Sequence, residues 1–109
     1  MKATLHHAVP PAAIPARLPP LFRTLIDPKR LGTSPVTLAV FPATSAAVVS
    51  ANAARRLLDR LGDVSDPLVV VGYNFTQDAV EVLRDARATL FAVSNFWWSD
   101  ARWQAIRER

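Results

Sequence analysis

Seven of the nine prolines in this chain fall within its first 35 residues. Proline has no backbone N–H to donate to a helix or sheet, and it pushes the preceding residue towards extended geometry. We therefore predict a proline-rich arm over residues 1–35, with little regular structure beyond one short helix at residues 20–26. Its apolar side chains are expected to hold the arm against the body of the protein or against a partner; they are Leu18, Leu21, Phe22, Leu25, Ile26 and Leu31.

From residue 36 onward the pattern changes to alternating strands and helices. Apolar, β-rich segments at residues 36–41, 68–71 and 89–93 predict three strands. Amphipathic segments predict helices at residues 47–61 and 77–86, and a third is predicted at residues 100–107. This β-α-β-α-β-α order predicts an α/β domain over residues 36–109, in two or three layers around a three-stranded, mainly parallel sheet.

The composition is typical of globular proteins and excludes several kinds of site. Half of the 109 residues are hydrophobic and a fifth are charged. The chain has no cysteine, which excludes disulfides and thiolate metal sites. Neither a secretory signal nor an apolar run of roughly 18 residues is visible, so we expect a cytoplasmic protein without membrane contact.

Polar residues follow each predicted strand, at the edge where the carboxyl ends of parallel strands bring their loops together. Free N–H groups at the helix starts beside these loops favour an anion such as a phosphate or carboxylate. We therefore predict a site for a small anionic ligand formed by Thr44, Ser45, Tyr73, Asn74, Thr76 and Asn95. The alternative interpretation is structural, with Ser45, Thr76 and Ser99 acting as ordinary helix N-caps.

Acidic residues and histidines are not arranged for catalysis. No carboxylate stands at a predicted strand end, where a pair could bind a metal or transfer a proton. His6 and His7 are adjacent and lack the i, i+4 spacing of a helical metal-binding pair. The three glycines fit no nucleotide-binding pattern. We expect no catalytic residue, no metal and no cofactor.

The sequence VVVGYNFTQDA at residues 69–79 resembles the second half of restriction-endonuclease-like domains of the Mrr type, in which a strand leading into Phe-Thr-x-x-Ala opens a helix. That family carries an acid-x-lysine pair on the preceding strand, where this chain has Leu-Ala-Val-Phe at residues 38–41. The resemblance therefore implies a catalytically incomplete relative that binds nucleic acid. The same segment resembles the strand–helix unit of phosphoribosyltransferases, but it lacks the acidic pair before their phosphate loop.

Aromatic residues are concentrated near the end of the chain, where all three tryptophans lie between residues 97 and 103. If this segment is extended, adjacent side chains point to opposite sides, which leaves one of Trp97 and Trp98 for a protein partner or a second copy. The predicted interface comprises Phe96, Trp97, Trp98 and Phe22. The alternatives are that the arm covers these rings or that they stack on a ligand or base.

Eleven arginines against two lysines produce a net charge of +4, which indicates either an anionic partner or a GC-rich genome. Arg55, Arg56 and Arg60 lie on the polar face of the first predicted helix and are candidates for phosphate contacts. The sequence as a whole favours a non-catalytic module for interaction or self-association. Nucleic-acid binding and small-anion binding at the strand ends are the alternatives.

Overall fold

A sheet of four strands forms the centre of the computed structural model, which describes residues 1–94. Two long helices pack on one face of this sheet and the proline-rich arm packs on the other. In chain order the strands are β1 (Thr4–Val9), β2 (Val36–Val40), β3 (Val48–Val49), β4 (Leu68–Gly72), β5 (Asn74–Phe75) and β6 (Thr89–Ala92), and the helices are α1 (Ile14–Arg17), α2 (Ala51–Leu61) and α3 (Gln77–Asp85).

The strand order in the main sheet is β1-β2-β4-β6. β2, β4 and β6 run parallel to one another, whereas β1 pairs antiparallel with β2. β3 and β5 form a separate parallel pair. The connection from β2 to β4 contains β3 and α2, and the connection from β4 to β6 contains β5 and α3.

The predicted mixed α/β fold is confirmed, but the main sheet has four strands and not three. The additional strand, β1, belongs to the arm, where the sequence analysis predicted no strand. Its pairing register shifts between His6 and Val9, and Ala8 between them has a φ of 52°. This irregularity removes the even alternation by which a strand is recognised in sequence. The last predicted helix, at residues 100–107, lies outside the described residues.

The arm forms a complete layer on one face of the sheet. Ile14, Leu18, Phe22 and Ile26 are buried, and they pack in one cluster with apolar side chains of β2 and β4. In place of the predicted helix at residues 20–26, the arm has a 3₁₀ turn over Pro20–Phe22, with further 3₁₀ turns at Pro11–Ala13 and Pro28–Leu31. Prolines begin all of these turns because they need no N–H there and already have the required φ.

The opposite face is covered by α2 and α3, whose apolar stripes pack on the alternate residues of the same strands. Leu57 and Leu83 are buried there against Ala39, Val70 and Leu90. Because successive residues of a strand point to opposite faces, the buried apolar side chains of β2 and β4 contribute to both clusters.

Helix α2 begins later than predicted, because Val48 and Val49 form β3. Its N-cap is Ser50, whose Oγ accepts a hydrogen bond from the Ala53 N–H at 3.2 Å. The predicted cap, Ser45, lies in an exposed turn instead. The prediction failed because a Ser followed by small apolar residues looks the same in sequence whether a helix or a short strand comes next.

Candidate functional site

The carboxyl edge of the parallel strands, where the sequence predicted a ligand, is largely filled by side chains of the protein itself. Phe41, Val49 and Phe75 are fully buried there, and Phe75 meets Phe41 edge-on with ring centroids 6.4 Å apart. A Cβ added to Gly72 would lie 3.0 Å from the Phe75 ring. The absence of a side chain at Gly72 therefore leaves the space that this ring occupies.

Two of the polar residues predicted to form that site use their side chains in hydrogen bonds within their own turns. Thr44 and Ser45 are exposed, and Tyr73 is half-buried beside the cluster on the arm side. The Asn74 Oδ1 accepts the Phe75 N–H at 2.9 Å, and the Thr76 Oγ1 accepts the Ala79 N–H at 3.3 Å.

Thr76 is thus the N-cap of α3, as the structural interpretation of this residue expects. The sixth predicted residue, Asn95, lies outside the described residues. The small-anion site at these loops stays a prediction, and the other five residues line neither the cavity of about 390 Å³ beside α2 nor the cavity of about 410 Å³ at the opposite edge of the sheet.

The carboxyl of Asp78, in the first turn of α3, has a lowered pKa. The Thr76 hydroxyl donates a hydrogen bond to Asp78 Oδ1 at 2.6 Å, and this bond lowers the pKa of the carboxyl below its ordinary value of 3.8. Backbone N–H groups at the start of α3 and the positive charge of Arg55 lower the pKa further. Asp78 is therefore a stably ionised carboxylate that supports the helix start.

The arginines of α2 divide between two sides of the helix. Arg55 donates to the Asn52 Oδ1 at 3.4 Å and acts on Asp78, on the side towards α3. Arg56 and Arg60 both line a cavity of about 390 Å³ on the side towards β1. Arg60 also donates to the Ala3 carbonyl at 2.9 Å, which links α2 to the residue before β1.

This cavity, which we call the α2 cavity, combines an apolar floor with a cationic rim. Its lining residues are Met1, Lys2, Ala3, Phe41, Ala53, Arg56, Leu57, Asp59 and Arg60. Three cationic side chains therefore face one carboxylate around a space of the size that holds a small ligand. Within residues 1–94, neither Lys2 nor Arg56 forms a side-chain hydrogen bond or an ion pair.

Sequence reasoning named Arg56 and Arg60 only as candidates for phosphate contacts, and it did not single out Lys2 or Phe41, which also line the cavity. Lys2 was assigned to an arm without strand pairing, and only the pairing of β1 with β2 brings it beside α2. No local pattern in the sequence signals this contact, because Ala3 and Arg60 are 57 positions apart.

Of the four residues of the predicted protein interface, the structure describes only Phe22. This ring is fully buried in the cluster on the arm side, so within this fold it contacts the chain's own sheet. Phe96, Trp97 and Trp98 lie outside the described residues, and their interface stays a prediction.

Over residues 1–94, no three His, Asp or Glu side chains come together as ligands for a metal ion. None of the helices in that part of the chain is long and apolar enough to cross a bilayer. Comparisons with protein-family models, with curated protein sequences and with solved structures found no match to this chain.

Proposed function

We propose that this chain is a non-catalytic interaction module that receives an anionic partner at the α2 cavity. The observation that carries the proposal is the pairing of the Arg56 and Arg60 guanidinium groups with an apolar floor in one cavity of about 390 Å³. A guanidinium group presents several N–H donors to a carboxylate or phosphate, and the apolar lining beside these groups includes Met1 and Ala53, which are not fully buried. The chemistry favours an amphipathic anion.

The charge balance around the cavity supports an anion over a neutral ligand. The cavity is lined by three cationic residues, Lys2, Arg56 and Arg60, and by one acidic residue, Asp59. One N–H of Arg60 already donates a hydrogen bond to the Ala3 carbonyl. Lys2 and Arg56 make no such internal contact within residues 1–94. Their charges are therefore free to meet a ligand without breaking a bond of the fold.

Calorimetric titration with octanoate and octyl phosphate tests this proposal, with octanol as the uncharged control. We expect both anions to bind more tightly than octanol, and Arg56→Gln to weaken them by about tenfold or more, as removal of a charge-assisted hydrogen bond does. Arg55→Gln is the matched control, because it removes the same charge from the neighbouring position outside the cavity. Equal affinity of all three compounds would contradict the proposal.

Nucleic-acid binding is the second candidate function, because Arg55, Arg56 and Arg60 are all exposed on one helix. Phosphate contacts along a backbone would use all three residues, and the affinity would fall steeply with salt. Filter binding of single- and double-stranded DNA and RNA at two salt concentrations separates the candidates. Similar losses for Arg55→Gln and Arg56→Gln would favour a nucleic-acid surface, and a loss for Arg56→Gln alone would favour the cavity.

Self-association through Trp97 and Trp98 is a separate form of the same interaction role, and it rests on the sequence alone. Light scattering of the wild type and of Trp98→Ala tests it. A wild type that stays monomeric at high concentration would remove this form of the proposal and leave the α2 cavity unaffected.

A further inference from the structure

A second cavity, of about 410 Å³, lies at the opposite edge of the sheet, near the beginnings of β2 and β4. The carboxyl ends of α2 and α3 border it, together with the segment that joins α2 to β4. We call it the basal cavity. Its apolar wall includes Leu58, Leu61 and Leu68, and its polar lining includes Thr37, Asp66 and Arg87.

Thr37 provides the first sign that this cavity has a ligand. It is only 1% exposed, and its Oγ1 has no hydrogen-bond partner within the described part of the chain. A buried hydroxyl without a partner destabilises a fold, so such groups in proteins are normally met by a protein atom, a water or a ligand. Val would fill the same space at no such cost, and the hydroxyl therefore requires an explanation.

Two opposite charges on the lining of the cavity provide the second sign. Asp66 is half-buried and Arg87 is exposed, and neither forms an ion pair or a side-chain hydrogen bond within residues 1–94. A cation-binding group and an anion-binding group are thus both available in a cavity whose wall is apolar. The carbonyl groups at the helix ends add partial negative charge, which favours an ammonium group beside Asp66.

Arg87 also occupies a backbone position that normally belongs to glycine. Its φ is 61°, and it follows the last turn of α3 with hydrogen bonds from its N–H to the Arg84 carbonyl and from the Ala88 N–H to the Leu83 carbonyl. This pair of bonds defines a Schellman motif, in which glycine avoids the strain of a left-handed residue. A strained arginine at the rim of a cavity is consistent with a role for its side chain.

We infer that the basal cavity binds a small zwitterion with an apolar side chain, namely a free apolar α-amino acid. Arg87 receives the carboxylate, Asp66 receives the ammonium group, and Leu58 and Leu61 contact the side chain. Thr37 lies in the wall, and its buried hydroxyl gains a partner when its side chain turns towards the bound ligand. This site is independent of the α2 cavity and of the function proposed for it.

Calorimetric titration of the full chain with L-leucine tests the inference. Three further probes each lack one feature: leucinamide lacks the carboxylate, 4-methylpentanoate lacks the ammonium group, and glycine lacks the side chain. We expect leucine to bind, and each of the other probes to bind about tenfold more weakly or less, as expected for the loss of one charged or apolar contact.

Two variants assign the two charges. Arg87→Gly should bind leucine about tenfold more weakly while its affinity for leucinamide is unchanged. Asp66→Asn should weaken leucine similarly and leave 4-methylpentanoate unchanged. Arg87→Gly relieves the left-handed strain, so its melting temperature should rise, and a loss of binding in this variant cannot be attributed to unfolding.

Arg17→Gln is the control for Arg87→Gly, because it removes one positive charge from the arm and not from the cavity. Thr37→Val tests the wall of the cavity. Thr37→Val should weaken leucine by roughly threefold to tenfold while raising the melting temperature of the empty protein. Failure of 10 mM leucine to produce heat or to raise the melting temperature would overturn the inference. Binding that both Arg87→Gly and Asp66→Asn leave unchanged would also overturn it.

Discussion

The two faces of the sheet are covered by very different kinds of chain. On one face, α2 and α3 bury Leu57 and Leu83 with regular helices. On the other, the arm buries Ile14 and Phe22 completely, although its helical pieces are only three or four residues long. A core layer therefore depends on where apolar side chains are placed, and regular secondary structure is only one way to place them.

The largest expected effect tests whether the arm is a true core layer. Phe22→Ala removes a ring with no exposed surface, and we expect it to lower the free energy of unfolding by about 3–5 kcal/mol. Leu83→Ala, on the helical face, should cost a comparable amount, about 2–5 kcal/mol. Urea unfolding followed by circular dichroism measures both.

Leu21→Ala is the control for Phe22, because Leu21 is the adjacent residue and is 46% exposed. It should change stability by less than about 0.5 kcal/mol. If Phe22→Ala had an equally small effect, the arm would be an attachment on a body that is stable without it, and the comparison between the two faces would fail.

The next prediction concerns the filled carboxyl edge of the helical face. Gly72→Ala places a methyl group 3.0 Å from the Phe75 ring, and we expect a loss of about 1–3 kcal/mol from overpacking. The double variant Gly72→Ala/Phe75→Leu should lose less than the sum of the two single changes, because the smaller side chain leaves room for the methyl group. Additive losses in thermal unfolding would show that the two residues do not compete for this space.

The start of α2 distinguishes the observed helix from the predicted one. Ser50→Ala removes the cap that accepts the Ala53 N–H, and it should cost about 1 kcal/mol. Ser45→Ala should stay within about 0.5 kcal/mol, since Ser45 lies in an exposed turn. The reverse order of the two effects in chemical unfolding would place the helix start where the sequence suggested.

The smallest expected effect is electrostatic and lies at the start of α3. Because the folded pKa of Asp78 is lowered, its contribution to stability is present above the ordinary value of 3.8 and is lost as the pH falls through the folded pKa. Thr76→Val should raise the folded pKa by removing the hydroxyl donor, whereas Thr76→Ser should keep it low. An NMR titration of the Asp78 carboxyl measures this, and an unchanged pKa in Thr76→Val would show that the hydrogen bond is not the main cause.

The fold was predictable wherever buried residues recur at regular spacing within one helix or strand. The apolar stripes of α2 and α3 are visible in the sequence because each helix contacts the sheet once per turn. The apolar segments of β2, β4 and β6 are visible because these strands are covered on both faces. The candidate site was predictable only in part. The polar face of the first predicted helix singled out Arg55, Arg56 and Arg60 together as candidates for phosphate contacts. In the structure Arg56 and Arg60 line the α2 cavity, whereas Arg55 acts on Asp78 on the other side of the helix.

The sequence by itself determined the proline-rich character of the arm, the alternation of strands and helices after it, and the absence of cysteine chemistry. Tertiary structure alone decided that residues 4–9 add an antiparallel strand, that the arm covers one face of the sheet, and that Arg60 reaches Ala3. The physical reason is distance along the chain. Periodicity records the contacts of one element with its surroundings, whereas pairing between remote segments depends on complementary surfaces that no local pattern specifies.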